Sequence, residues 1–183
     1  MVPVMVALAG CSGGGSATPD EPRATRTIDV TAIEKPEFPE DSLEPTSASA
    51  EHFVRWWLAS VAWVRRTNSP RAIGTDYEST RCTKCDLLVE EVLRAKAADT
   101  LEVLTEPVID EIESVRTIRA QDNTCTVVMV SWHVDHQETV AADGTVSNRR
   151  DDLAFVDAIV TCVNAEQRLI TYWEDRTTYQ GSA

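Results

Sequence analysis

Four features are scarce or missing in this chain, and each absence removes a class of function. Basic residues are outnumbered, 17 Lys and Arg against 30 Asp and Glu, for a net charge of −13. Nucleic acid is held by neutralising phosphates with cations, and anionic lipid attracts basic segments, so the composition disfavours both as direct partners. No apolar stretch reaches the roughly 20 residues that a membrane-spanning helix needs. A Gly-rich phosphate-cradling loop is missing, as is any Ser-His-Asp order of a hydrolase. Acidity beyond this mainly promotes solubility.

What is present starts at the N-terminus. Met1 to Gly10 is a short apolar run that closes in Leu8-Ala9-Gly10-Cys11, and Ser12-Gly13-Gly14-Gly15-Ser16 follows at once. Such a run suits the apolar core of a signal peptide ending in small residues. Leu-Ala-Gly-Cys has the pattern of a bacterial lipobox, in which Cys11 receives lipid and becomes the first residue of the mature chain. No Lys or Arg precedes it, so the signal peptide (residues 1–10) is either truncated at its start or weak. Stable anchoring takes two acyl chains, and a diacylated Cys11 would supply them. The expected location is the outer face of the cell membrane, with the membrane contacted through this lipid alone.

Residues 11–46 are dominated by Gly, Ser, Pro, Thr and acids. That composition buries too little surface to offset the entropy of ordering, so the segment reads as a disordered tether. A flexible coil of that length spans roughly 30–35 Å. Residues 47–183 then form one domain with a single core.

Export changes the meaning of the cysteines. With Cys11 lipidated, Cys82, Cys85, Cys125 and Cys162 remain, an even set that suggests two disulfides outside the cytoplasm.

Ser49 to Arg66 reads as a helix with Ser49 as N-cap. Phe53, Trp57, Val61 and Val64 recur at helical spacing, and Trp56 and Trp63 widen the stripe. Ser69-Pro70 opens a second, short helical turn ending at Gly74. A third helix covers Thr83 to Ala97, with Leu87, Leu88, Val92 and Leu93 as its buried side. The second half changes period. Segments 112–120, 124–136, 150–162 and 168–177 are rich in β-branched and aromatic residues.

Asp143-Gly144 is the dipeptide of a two-residue hairpin turn. Counting outward from it sets Cys125 opposite Cys162, at a non-hydrogen-bonded pair where side chains approach most closely. The same register places Val128, Val130, Trp132, Val134, Leu153, Phe155 and Ile159 on one face. Ile170 and Tyr172, after a turn at Asn164-Ala165, join them beneath the helices. The other face carries Val127, Met129, Ala154, Val156, Ala158 and Val160. It is smaller yet apolar, and a second copy of the chain is one candidate to cover it.

The expected fold is therefore α+β: three N-terminal helices packed on a curved antiparallel sheet of about four strands. This order of elements resembles the cone-shaped fold of nuclear transport factor 2, shared with scytalone dehydratase and ketosteroid isomerase. The lipobox with its acidic tether, the opening Phe53-Val54-Arg55-Trp56-Trp57 and the motif Cys82-Thr83-Lys84-Cys85 together resemble a family of uncharacterised actinobacterial lipoproteins. That resemblance implies no activity.

Few residues offer chemistry. Cys82 and Cys85 form a C-x-x-C at a helix start, where thiol pKa values fall, so a thiol oxidoreductase stands as an alternative to a structural bridge. Zinc would need two further ligands. In the chain-entropy model, the Cys125–Cys162 loop contributes about 4 kcal/mol and the Cys82–Cys85 loop about 2. Asp157 lies mid-strand on the bulky face, opposite Val130, with Glu174 and Arg176 expected on that face. In an apolar pocket its carboxylate could serve as general base for an isomerase or dehydratase, with Tyr172 or Trp132 shaping the cavity. His133 and Asp135 share a strand face and His136 points away, so no metal or other cofactor is expected. His52 reads as a rim residue. Trp56, Trp57 and Trp63 belong to a core or line a ligand cavity. The leading expectation is a non-enzymatic, lipid-anchored envelope protein that displays a domain for a small ligand or a partner protein.

Overall fold

The computed structural model describes residues 29–70, 82–120, 123–164 and 166–176. The segment read as a lipobox, with Cys11, and the helical turn expected between Pro70 and Gly74, lie outside them. Two α-helices and five strands make up the described fold: α1 (Ser47–Thr67), α2 (Thr83–Ala97), β1 (Thr100–Leu104), β2 (Val108–Ala120), β3 (Asn123–Ala141), β4 (Val146–Val163) and β5 (Arg168–Asp175). Three helices on a four-stranded cone is thus corrected to two helices on a curled, five-stranded antiparallel half-barrel; the α+β class stands. The unforeseen strand is β1. It is five residues long and follows α2 directly through Asp99, at φ 53°. A segment that short shows almost no period. β3 is long enough to pair with both β1 and β2 along one edge and with β4 along the other.

Both helices begin and pack differently in detail from the sequence pattern. Thr46, not Ser49, caps α1, its hydroxyl accepting from the Ser49 N–H at 3.1 Å. Asn68 in the left-handed region ends the helix. Phe53, Val54, Trp57, Leu58, Val61 and Val64 meet Val128, Val130, Trp132, Val134 and Ile159 of the sheet in one core. On α2 only Cys85, Leu88 and Val92 are buried, a narrow i, i+3, i+7 stripe, whereas Leu87 and Leu93 are exposed.

The hairpin register holds at the cysteines for an unexpected reason. The turn has three loop residues, not two. Gly144, at φ 80°, donates to Ala141 C=O at 2.8 Å, and the Ala141 N–H bonds Thr145 C=O at 2.9 Å. This is a type I turn closed by a left-handed residue. It moves the pairing by one, to Val140 opposite Val146. An extra residue on β4, between the pairs Gln137–Arg150 and Thr139–Ser147, moves it back. Asn148 takes up that bulge at φ 50°. Cys125 therefore faces Cys162, and the two are joined by a disulfide with Cα atoms 4.0 Å apart.

A second bulge overturns part of the face assignment. Val160 pairs with Tyr172 but Thr161 pairs with Ile170, leaving Thr171 as the extra residue. Ile170 and Trp173 point into the core, and Tyr172 points out, 44 % exposed. Glu174 and Arg176 follow Tyr172 to the outside, where they pair with each other at 2.5 Å.

Residues 29–46, read as tether, are packed. They run antiparallel to α1. Trp63 Nε1 donates to Ile33 C=O at 3.1 Å and Trp56 Nε1 to Pro36 C=O at 3.3 Å. Phe38 meets Phe53 and Trp56 edge-on, at 6.1 and 5.0 Å. Three residues of extended strap cover nearly the same length, roughly 10 Å, as two turns of helix, so the two indoles each find a carbonyl. Composition missed this because the partners sit in α1.

Arg168 fastens the strap. It opens β5 and is 1 % exposed. Its guanidinium donates to Ser42 C=O, to Glu44 C=O at 2.5 Å and to Ser49 Oγ at 3.2 Å. Burial pushes its pKa down to about 10, against an opposing pull from Asp41. The group remains charged at neutral pH, and the carbonyls replace lost water. Arg168→Lys keeps the charge but loses the fork. It should cost about 2 kcal/mol in denaturant titrations and speed hydrogen exchange in residues 33–46 over that in β3.

Candidate functional site

The residues with chemical promise converge where α2 meets the sheet. α2 enters through a bridge between Cys82 and Cys85, whose Cα atoms are 5.2 Å apart. Both cysteines are 0 % exposed. A redox pair must present sulfur to its substrate, and this one is sealed in the core. What the bridge presents is the residue inside it, Lys84. Its ammonium lies 2.7 Å from Asp157 Oδ1 and 4.3 Å from the centre of the Trp173 ring. The other carboxylate oxygen, Oδ2, accepts from Trp132 Nε1 at 2.7 Å.

Asp157 is 0 % exposed. Both its oxygens are engaged, one by Lys84 and one by Trp132, in place of the unpaired carboxylate in an apolar pocket that a general base would require. The cation beside it is Lys84, from a helix, and not Arg176. Tyr172, expected to shape the cavity, stands on the opposite face of the sheet, opposite Val160. Trp132 is stacked on Phe155 with ring centres 4.3 Å apart.

Lys84 occupies an awkward place for a cation. The first turn of a helix carries the positive end of the macrodipole and favours acids there; Asp86 is the one acid in that turn. A lysine at this position makes sense once Asp157 lies opposite it. Sequence reasoning missed Lys84 by treating Thr83-Lys84 as a mere spacer. The misplaced charge was the available signal.

Beside this cluster lies an open groove of about 380 Å³, lined by Arg65, Thr83, Lys84, Leu87, Leu88, Glu91 and Trp173. Its volume lies toward the lower end for small-molecule sites. Its cations are already committed: Arg65 holds Glu102 at 2.5 Å and Glu91 at 2.8 Å. Exposed Leu87 and the edge of Trp173 give it a partly apolar lining. Trp56, Trp57 and Trp63 do not line it, although Trp63 lines a separate open groove of about 680 Å³ between the strap and Arg66, Glu106 and Pro107. Trp57 is core, edge-on to Trp173 at 6.1 Å, and the other two hold the strap.

The histidines are paired with carboxylates. His133 Nδ1 meets Asp110 at 3.0 Å, and the other ring nitrogen lies 3.7 Å from Asp135. His136 bridges Asp151 at 2.7 Å and buried Glu138 at 3.0 Å. His52 bonds Asp41 at 2.6 Å on the rim. Among the described residues no three potential ligands gather as a metal site.

With this geometry in place, the class is that of an α+β domain with a curled antiparallel sheet. No family model matches the chain. No curated protein matches it either. Among solved structures it is similar to the intermembrane space region of the chloroplast protein ARC6, with a TM-score of 0.51 and 9 % identity, over 73 % of this chain and 98 % of that one. At that identity the likeness concerns the fold alone.

Two outcomes test this site. Removing one partner of a buried ion pair costs about 3–5 kcal/mol. Lys84 is partly exposed, so Lys84→Met should fall near the lower end, measured by urea unfolding. For His136, the hydrogen bonds to Asp151 and then to Glu138 raise its pKa, while His136 in turn lowers that of Asp151. A raised folded-state pKa stabilises fully below the unfolded value of about 6.5 and loses that contribution as pH rises through the folded value. The Asp151 contribution is present above the ordinary carboxylate value and is lost as pH falls through the lowered one. NMR should show the His136 ring titrating above about 6.5, and closer to it in Glu138→Gln.

Proposed function

We propose that this chain is an exported, lipid-anchored protein of the cell envelope whose α+β domain binds a partner or small ligand. Residues beyond the described structure carry the address: the lipobox at Leu8-Ala9-Gly10-Cys11. The observation that carries the reading most is that the four remaining cysteines form two bridges, Cys82–Cys85 and Cys125–Cys162. Paired cysteines belong to oxidising compartments, and cytosolic thiols are kept reduced. The Cys82-Thr83-Lys84-Cys85 motif and the Phe53-Val54-Arg55-Trp56-Trp57 opening support membership of the uncharacterised actinobacterial lipoproteins that the sequence resembles. The acidic surface supports attachment by lipid over attachment by charge.

The apolar groove at Leu87, Leu88 and Trp173 favours binding over catalysis. Its neighbouring carboxylate, Asp157, and its neighbouring sulfurs are buried, so each works as a fastening. With residues 29–46 held against α1, only 17 residues separate Cys11 from the packed domain, so a lipid on Cys11 would keep the domain close to the membrane surface.

Expression in an actinobacterial host tests the address. The native chain should sediment with membranes, take up radiolabelled palmitate and show no reactive thiol in denaturant. Cys11→Ser should move it to the soluble fraction with both bridges intact. Unlabelled chain with free thiols in the cytosol would contradict the proposal.

A further inference from the structure

The sheet face turned away from the helices carries an apolar surface that the fold leaves unexplained. Ile118, Val156 and Tyr172 on it are 44 %, 37 % and 44 % exposed, and Val127, Met129 and Val160 are half-buried between them. A monomer rarely exposes a contiguous apolar patch beyond a few hundred Å² without using it. Strand pairing arranges this face in rows. One row runs Glu113, Met129, Ala158, Glu174, and the next runs Arg116, Val127, Val160, Tyr172. Each row crosses four strands, and charge sits only at the edges. Among the described residues neither Glu113 nor Arg116 makes an ion pair within its own chain.

We infer that this face binds a second copy of the same chain, about a two-fold axis lying across the strands between those two rows. Such an axis exchanges the rows. Arg116 of one copy then stands over Glu113 of the other, and the reverse holds by symmetry, so both edge charges are matched twice. Met129 lies over Val127, and Ala158 over Val160, which sets the larger side chains against the smaller. Tyr172, whose hydroxyl bonds Glu174 of its own chain, lies over the same Tyr172–Glu174 pair of the other copy. The alternative axis, along the strands, sets Glu113 over Glu174, which Arg176 already pairs, and Arg116 over Tyr172, so neither edge charge gains an opposite partner. Facing sheets pack about 10 Å apart, a gap that an Arg and a Glu span together.

The area limits the strength. Four strands over about eight residues give roughly 500 Å² per partner from strand spacings. Stable complexes bury nearer 800 Å². The association is therefore weak in solution, and copies that share one membrane surface would gain from their confinement. The inference does not depend on the lipid reading, because both partners are this domain.

The test uses the full chain carrying Cys11→Ser, so that no micelle forces association, in sedimentation equilibrium up to about 1 mM protein. A monomer–dimer equilibrium with a dissociation constant of tens to hundreds of micromolar is expected. Arg116→Glu and Glu113→Arg should each weaken it at least tenfold, and the double exchange should restore it to within about threefold. Both positions are exposed, so each variant should keep the circular dichroism and melting behaviour of the parent. A chain that stays monomeric throughout overturns the inference and points to a different protein as occupant. Dimers indifferent to both single reversals, or unrestored by the exchange, overturn it as well.

Discussion

The fold is organised around a buried carboxylate that reaches three elements at once. Asp157 belongs to β4, accepts from Trp132 of β3 and faces Lys84 of α2. An ionised group in the core is tolerated only when paired and hydrogen-bonded. Here that requirement fixes where α2 begins. The Cys82–Cys85 bridge holds the first turn with Lys84 over the sheet, and Trp173 of β5 closes on the same ammonium. The short bridge contributes little loop entropy of its own. Its larger effect is to orient a cation that the helix dipole alone would not favour.

A second buried charge does comparable work at the other end of the sheet. Arg168 has backbone carbonyls for partners, so it ties a chain segment instead of a side chain. That segment is the strap, and its other attachments are the two indoles of α1. Together they extend the folded domain about 18 residues toward the N-terminus from the start of α1. The first described residues of the strap lie beside the C-terminal half of α1, near Trp63.

Much of the sheet could be read from residue types, because β-branched alternation and the turn at Asp143-Gly144 carry strong local signals. The Cys125–Cys162 pairing was legible for the same reason, although it rested on two irregularities that cancel. β1 was invisible at five residues. The bulge at Thr171 was invisible too, since nothing local marks one extra residue, and it sent Tyr172, Glu174 and Arg176 to the other face. Asp157 was recognisable as an anomaly but its partner was not, because Lys84 lies 73 positions away on a different element. The strap escaped composition entirely. Its few apolar residues, Ile33 and Phe38 among them, are sufficient only because Trp56 and Trp63 offer donors at matching intervals.

The central claim is that Lys84 and Asp157 stabilise the fold as a pair. A double-mutant cycle measures this directly, using Lys84→Met, Asp157→Leu and the combined variant in equilibrium unfolding. Each single change strands one polar partner, whereas the double replaces the pair with apolar groups. The account predicts a double variant more stable than the sum of the singles implies, by about 2–3 kcal/mol. Additive losses, with no coupling between the two positions, would contradict it.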